Sequence, residues 1–192
     1  MGSAYQVQTG IFDDPSNAEC NEPGITYLDG FIHNHRELFA AFETNLKWNC
    51  QFQSRKTVTF GVSYNYRNGR VKKKPMPDFL EPILQRIHDR FGYLPNNCLV
   101  NYYPTGDNYI SFHSDQDTEM KADTGVAIIS LGSLRTMTLR SVANKKVQFH
   151  YPLQPGSAFF MEDRIQSCWQ HGILREHGTG PRISMSFRSL IY

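Results

Sequence analysis

From Leu99 to the C-terminus the chain is a succession of short, β-prone stretches broken by turn residues, and this restricts what it can fold into. The stretches are Leu99–Tyr103, Tyr109–His113, Val126–Leu131, Thr136–Ser141, Val147–Tyr151, Ala158–Met161, Trp169–Leu174 and Ile183–Arg188. Pro104-Thr105-Gly106, Gly132-Ser133, Asn144-Lys145-Lys146 and Pro155-Gly156 punctuate them. Many short strands at this spacing build a β-sandwich or barrel.

The first half of the chain is different. Residues 1–24 are polar and patternless and read as a flexible arm. Ile25–Leu28 reads as a short strand, and Asn34–Leu46 carries Leu38, Phe39, Ala41, Phe42 and Leu46 at helical spacing. Trp48 to Tyr66 reads as strand, bend at Gly61, strand, closed by the Asn68-Gly69 turn. The run Arg70-Val71-Lys72-Lys73-Lys74 reads chiefly as a solvated loop. A second helix is predicted from Asp78 as N-cap, with Glu81 three residues on and Pro82 in the first turn. Phe79, Leu80, Ile83, Leu84, Ile87 and Phe91 form its apolar stripe, and Gly92 ends it. The expected class is therefore mainly β with flanking helices (α+β), two N-terminal helices covering one outer face.

At 192 residues, 40% hydrophobic and 20% charged, the chain is expected to make one soluble domain, residues 25–192, with no leader and no membrane span. A net charge of +2 argues against a strongly basic nucleic-acid coat. Cys20, Cys50, Cys98 and Cys168 show no C-x-x-C pairing and read as isolated reduced thiols in an intracellular protein. The expected compartment is the cytoplasm, with the nucleus also open, and the expected state is a monomer.

The chemistry concentrates in His113-Ser114-Asp115-Gln116-Asp117. A His and a carboxylate two apart on an extended segment point the same way. With a second His they would make the two-His-one-carboxylate triad that holds Fe(II) and leaves positions open. The candidate is His171, in Trp169-Gln170-His171-Gly172-Ile173. On spacing alone, a surface turn with a solvated carboxylate is the better account of H-x-D, and a satisfied core imidazole is the commoner fate of such a His. The C-terminal strand changes the weighing. Arg182 and Arg188 lie six apart, on the face opposite Ile183, Met185 and Phe187. Two inward guanidiniums need anionic partners, and a small dicarboxylate would serve both. Each, taken alone, could equally pair with Asp or Glu.

Taken in order, Asn101-Tyr102-Tyr103, His113-Ser114-Asp115, Ser130-Leu131-Gly132, His171 and the Arg182/Arg188 pair resemble the AlkB branch of the Fe(II)/2-oxoglutarate dioxygenases, over about Trp48 to Arg188. The resemblance implies a double-stranded β-helix (jelly-roll) core at about 97–190 and a substrate-recognition lid at about 48–76. It implies Fe(II) on His113, Asp115 and His171, 2-oxoglutarate as co-substrate and dioxygen as oxidant. Arg188 would neutralise the carboxylate beside the keto group and Arg182 the distal one. Asn101, Tyr103 and Ser184 would complete the co-substrate site. Alone, Asn101 and Tyr103 are ordinary strand residues.

For the substrate, the resemblance places Asp117 against the amino group of a methylated cationic base, Tyr64 and Tyr66 as stacking faces for a flipped base, and Arg55 nearby. Lys72, Lys73 and Lys74 would be a phosphate-contacting loop. Plain structural readings stand beside these: a solvated acid near Glu119 and Asp123, and half-buried strand tyrosines. The segment Ser141–Gln148 is short and only Lys145 and Lys146 are basic in it, which weakens the case for duplex DNA. The implied function is oxidative demethylation of N-alkylated bases (1-methyladenine or 3-methylcytosine type) in DNA or RNA. Hydroxylation of a small metabolite or a protein side chain on the same core is the alternative, and a non-catalytic binding module a third.

Overall fold

In the structure, a computed structural model, the described residues are 5–7 (backbone only), 22–62, 75–115 and 119–191. Strands form wherever the sequence after Leu99 predicts them, with ends moved by no more than two residues. One sheet has six strands in the order β2 (Ile25–Leu28), β9 (Ala158–Glu162), β6 (Gly125–Gly132), β11 (Arg182–Arg188), β4 (Asn97–Tyr103) and β3 (Lys56–Gly61). The other has five, in the order β1 (Tyr5–Val7), β8 (Gln148–Leu153), β7 (Arg135–Ser141), β10 (Trp169–Ile173) and β5 (Ile110–His113). All named pairings are antiparallel. Two such sheets face to face make the jelly-roll.

Helices α1 (His35–Asn45) and α2 (Glu81–Phe91) cover the outer face of the six-stranded sheet. Phe42, Ile83, Leu84 and Ile87 bury against Val58, Val100, Leu131, Ile183, Met185 and Phe187. Each such side chain contributes roughly 1.5–3 kcal/mol by leaving water. A second cluster, including Ile128, Leu139, Phe149, Phe159, Trp169 and Ile173, fills the space between the sheets. The period of two thus serves two cores: alternate residues of the six-stranded sheet face the helices and the interior.

Several sequence expectations are corrected. Asp78 does not cap α2. Pro77, extended at ψ 143°, starts a 3-10 turn that takes in Asp78–Leu80, and Leu80 precedes the helix with no side-chain cap bond. Phe79, placed in the apolar stripe, lies in that turn at the rim of the core, 48% exposed with its ring edge-on to Phe42 and Phe60. The thiol reading fails at Cys168, which is disulfide-bonded, whereas Cys50 and Cys98 are free. Disulfide pairing follows tertiary proximity, which spacing along the chain does not encode. Within the arm, Tyr5–Val7 pairs with β8, a strand that patternless polar residues do not announce. Gly61 does bend the chain: its φ is +78°, and a Cβ there would lie 2.0 Å from the Asn96 carbonyl oxygen.

Candidate active site

The site forms where β5, β10 and the middle of the six-stranded sheet meet. β10 runs antiparallel to β5 with His171 directly opposite His113, so the two imidazoles are cross-strand neighbours with ring centroids 4.3 Å apart. Asp115 follows two residues after His113 and turns to the same side. One ligand atom from each of His113, Asp115 and His171 lies within 4.8 Å of the others. Among the described residues no other group of three metal-ligating side chains is found.

The supporting contacts aim these groups. His113 Nδ1 lies 2.8 Å from the Ser111 carbonyl oxygen; a proton on Nδ1 donates there and leaves Nε2 as the lone-pair nitrogen. Asp115 Oδ1 accepts from Arg188 Nη2 at 2.7 Å, and the Asp115 backbone N–H donates to Gln166 Oε1 at 2.8 Å. Asp115 Oδ2 is buried with no hydrogen-bond partner. A buried carboxylate oxygen left unsatisfied beside two imidazoles fits a divalent cation. Ser114 Oγ donates to the Trp169 carbonyl and ties this turn to β10.

The electrostatics fit the same use. Burial drives the His171 pKa down to about 3, with the neighbouring His113 adding to the effect, so its imidazole is neutral. His113 is lowered too, first by burial, against the pull of Asp115. Burial pushes the Asp115 carboxyl up, but the charge and hydrogen bond of Arg188 act against it, and the carboxyl stays below the ordinary carboxylate value. Two neutral imidazoles and one ionised carboxylate are the protonation states a metal requires.

A pocket faces the triad and includes its three side chains in the lining. β4 contributes Asn101 and Tyr103, and β11 contributes Arg182, Ser184, Ser186 and Arg188. β11 is buried along its whole length, and its two faces divide as the sequence predicts: Ile183, Met185 and Phe187 meet the helices, while the arginines meet the pocket. Arg182 Nη2 donates to Ser130 Oγ at 3.0 Å; its Nε and Nη1 are buried without a hydrogen-bonding acceptor. Burial lowers its pKa to about 10, Tyr103 and Glu176 pull the other way, and the guanidinium stays charged.

Arg55 is 6% exposed and also lines the pocket. Its Nε donates to Asn101 Oδ1 at 2.8 Å, which fixes the Asn101 amide, and its guanidinium lies over Phe52. Tyr64, Tyr66 and Asp117, with Lys72, Lys73 and Lys74, lie outside the described residues. Sequence reasoning missed Gln166 and Arg135. Neither stands in a motif, and each earns its place through partners far along the chain.

The fold and this site define a jelly-roll with a His-Asp-His triad that could hold a metal ion, opposite a buried arginine pair. The model of the 2OG-Fe(II) oxygenase superfamily matches residues 30–188, and the chain belongs to that family. The family is named for its use of Fe(II) and 2-oxoglutarate, and His113, Asp115 and His171 are the side chains here that could hold the iron. The chain is 28% identical over 152 residues to mouse alpha-ketoglutarate-dependent dioxygenase alkB homolog 3, covering 72% of this chain and 52% of that protein. It is 26% identical over 148 residues to human DNA oxidative demethylase ALKBH2, covering 71% and 57%. It is 23% identical over 204 residues to a Caenorhabditis elegans DNA N6-methyl adenine demethylase, covering 98% and 69%. The chain thus spans about half the length of the first two relatives. The solved structure of OsALKBH1 superposes with a TM-score of 0.68 at 16% identity, covering 88% of this chain and 99% of that one, which shows the fold. Among the described residues no helix is long and apolar enough to cross a membrane.

Proposed function

We propose that this chain is an Fe(II)/2-oxoglutarate-dependent dioxygenase that oxidatively demethylates N-alkylated bases, of the 1-methyladenine and 3-methylcytosine type, in DNA or RNA. The observation that carries the oxygenase part is the unsatisfied Asp115 carboxylate between two neutral imidazoles, opposite the unsatisfied donors of Arg182. The names of the ALKBH2 and nematode relatives, a DNA oxidative demethylase and a DNA N6-methyl adenine demethylase, support the substrate class.

In this reading His113, Asp115 and His171 hold Fe(II). Fe(II) held by these three side chains would supply the chemistry that links oxidative decarboxylation of 2-oxoglutarate by dioxygen, giving succinate and carbon dioxide, to insertion of the second oxygen atom into a substrate C–H bond. A hydroxymethyl on nitrogen then leaves as formaldehyde and restores the base. Arg188 stands beside Asp115 and would neutralise the carboxylate next to the keto group, while Arg182 and Tyr103, which line the same pocket, would receive the distal carboxylate. Asn101, held by Arg55, and Ser184 donate along its length. The two sheets exclude water from this end. Residues 97–190 form the catalytic core and about 48–76 the substrate-recognition part, with Arg55, Tyr64, Tyr66 and Asp117 meeting the base.

The test is succinate release from 2-oxoglutarate and Fe(II), with and without an oligonucleotide carrying 1-methyladenine or 3-methylcytosine. The reading expects stimulation with stoichiometric formaldehyde, lost in His113→Ala. Unstimulated turnover would overturn the nucleobase assignment and point to a small metabolite or protein side chain.

A further inference from the structure

We infer that Arg135 is a positioning residue for the distal carboxylate of the co-substrate, acting by holding Tyr103 and Arg182 in place. The inference rests on the proposed 2-oxoglutarate site.

Arg135 opens β7 and is fully buried. Its Nη2 donates to the carbonyls of Asn108, at 3.0 Å, and Leu174, at 2.5 Å. Its Nη1 donates to the Thr105 carbonyl at 3.4 Å. Its Nε lies 3.7 Å from Glu176 Oε1, which also accepts from the Thr136 N–H. Arg135 and Arg182 therefore differ in how they are held. Arg135 has an ion-pair partner in Glu176 and uses both Nη atoms on loop carbonyls, which leaves only its Nε without a hydrogen-bond acceptor, whereas Arg182 keeps both Nε and Nη1 buried without one. The first is a tie; the second is a reader.

What Arg135 ties is specific. Thr105 and Asn108 belong to the loop that leaves Tyr103, and Leu174 and Glu176 to the loop that leads into Arg182. Tyr103 and Arg182 are themselves register partners on β4 and β11. The loops also bond each other, Gly106 N–H to the Thr179 carbonyl and Glu176 N–H to the Gly106 carbonyl. They pass so closely that a Cβ on Gly106 would lie 1.8 Å from the Glu176 carbonyl oxygen. Both guanidiniums lie against the same ring: Arg135 Cζ is 6.0 Å, and Arg182 Cζ 5.4 Å, from the Tyr103 centroid. Arg135 thus sets the separation of the two strand ends that present the distal-carboxylate donors. Recognition of a carboxylate by a guanidinium fork and a hydroxyl depends steeply on that separation.

The experiment titrates the Mn(II)-loaded full chain with 2-oxoglutarate by calorimetry, beside 2-oxobutyrate, which lacks the distal carboxylate. The proteins are wild type, Arg135→Gln, Arg135→Lys and Glu176→Gln. Arg135→Gln is expected to weaken 2-oxoglutarate roughly tenfold while leaving Mn(II) and 2-oxobutyrate affinity unchanged, and Arg135→Lys to recover part of the loss. Equal loss of both 2-oxo acids, or 2-oxoglutarate affinity within about twofold of wild type, would overturn it. Should Arg135→Gln fail to fold, Glu176→Gln decides: selective weakening of 2-oxoglutarate supports the inference, and unchanged affinity overturns it. If wild type itself does not bind 2-oxoglutarate, the co-substrate site is what fails.

Discussion

Arg188 reaches across 73 residues of chain to donate to Asp115 Oδ1 at 2.7 Å, and both side chains are almost wholly buried. One cation therefore both balances the carboxylate of the triad and faces the pocket. Arg188→Leu strands the Asp115 charge. The expected cost is about 3–5 kcal/mol in denaturant unfolding of the metal-free protein. Added Mn(II) is expected to restore part of it, because the divalent cation replaces the lost charge. Equal loss with and without Mn(II) would show that Asp115 does not meet the metal.

The metal-free protein is expected to weaken in mild acid. His171 has a folded pKa of about 3 against an ordinary 6.5. Below 6.5 the unfolded chain therefore binds the extra proton and the folded chain does not. Its contribution is complete above that pH and is lost as pH falls toward 3, at up to ~1.4 kcal/mol per unit. Asp115, also lowered, adds a loss of the same sign below its ordinary value of 3.8. Urea unfolding at pH 7.5, 6 and 5 measures this, and His171→Asn should flatten the profile. A pH-independent midpoint would contradict the buried neutral imidazole.

Gln166 accepts the Asp115 N–H and is 5% exposed. Gln166→Leu keeps the volume and removes the acceptor. Support groups of this kind are commonly worth about 10–100-fold in metal affinity. Mn(II) binding followed by electron paramagnetic resonance should register such a loss, with a folded circular dichroism spectrum.

Ile87 separates stability from the site. It is fully buried where α2 meets the six-stranded sheet, on the face away from the pocket. Ile87→Ala should cost about 2–5 kcal/mol and leave Mn(II) affinity of the folded protein unaltered. A parallel loss of metal affinity would mean that the helix layer sets the geometry of β11.

What the sequence determined by itself was whatever repeats at short range. The period of two located the strands after Leu99 and put Arg182 and Arg188 on the face opposite Ile183, Met185 and Phe187. The same rule turned His113 and Asp115 to one side. The apolar stripe located α2, and Gly92, at φ +78°, ended it. Only the tertiary structure decided partners distant along the chain: His171 opposite His113, Arg188 on Asp115, Arg55 on Asn101, Gln166 behind the triad, Arg135 across two loops, and the disulfide at Cys168. The expected Asp78 cap failed on a local competition that Pro77 won. Backbone periodicity is written into neighbouring residues, because sterics act over a few bonds. The choice of partner for a buried charge is made by desolvation, which acts only once the sheets have closed around it.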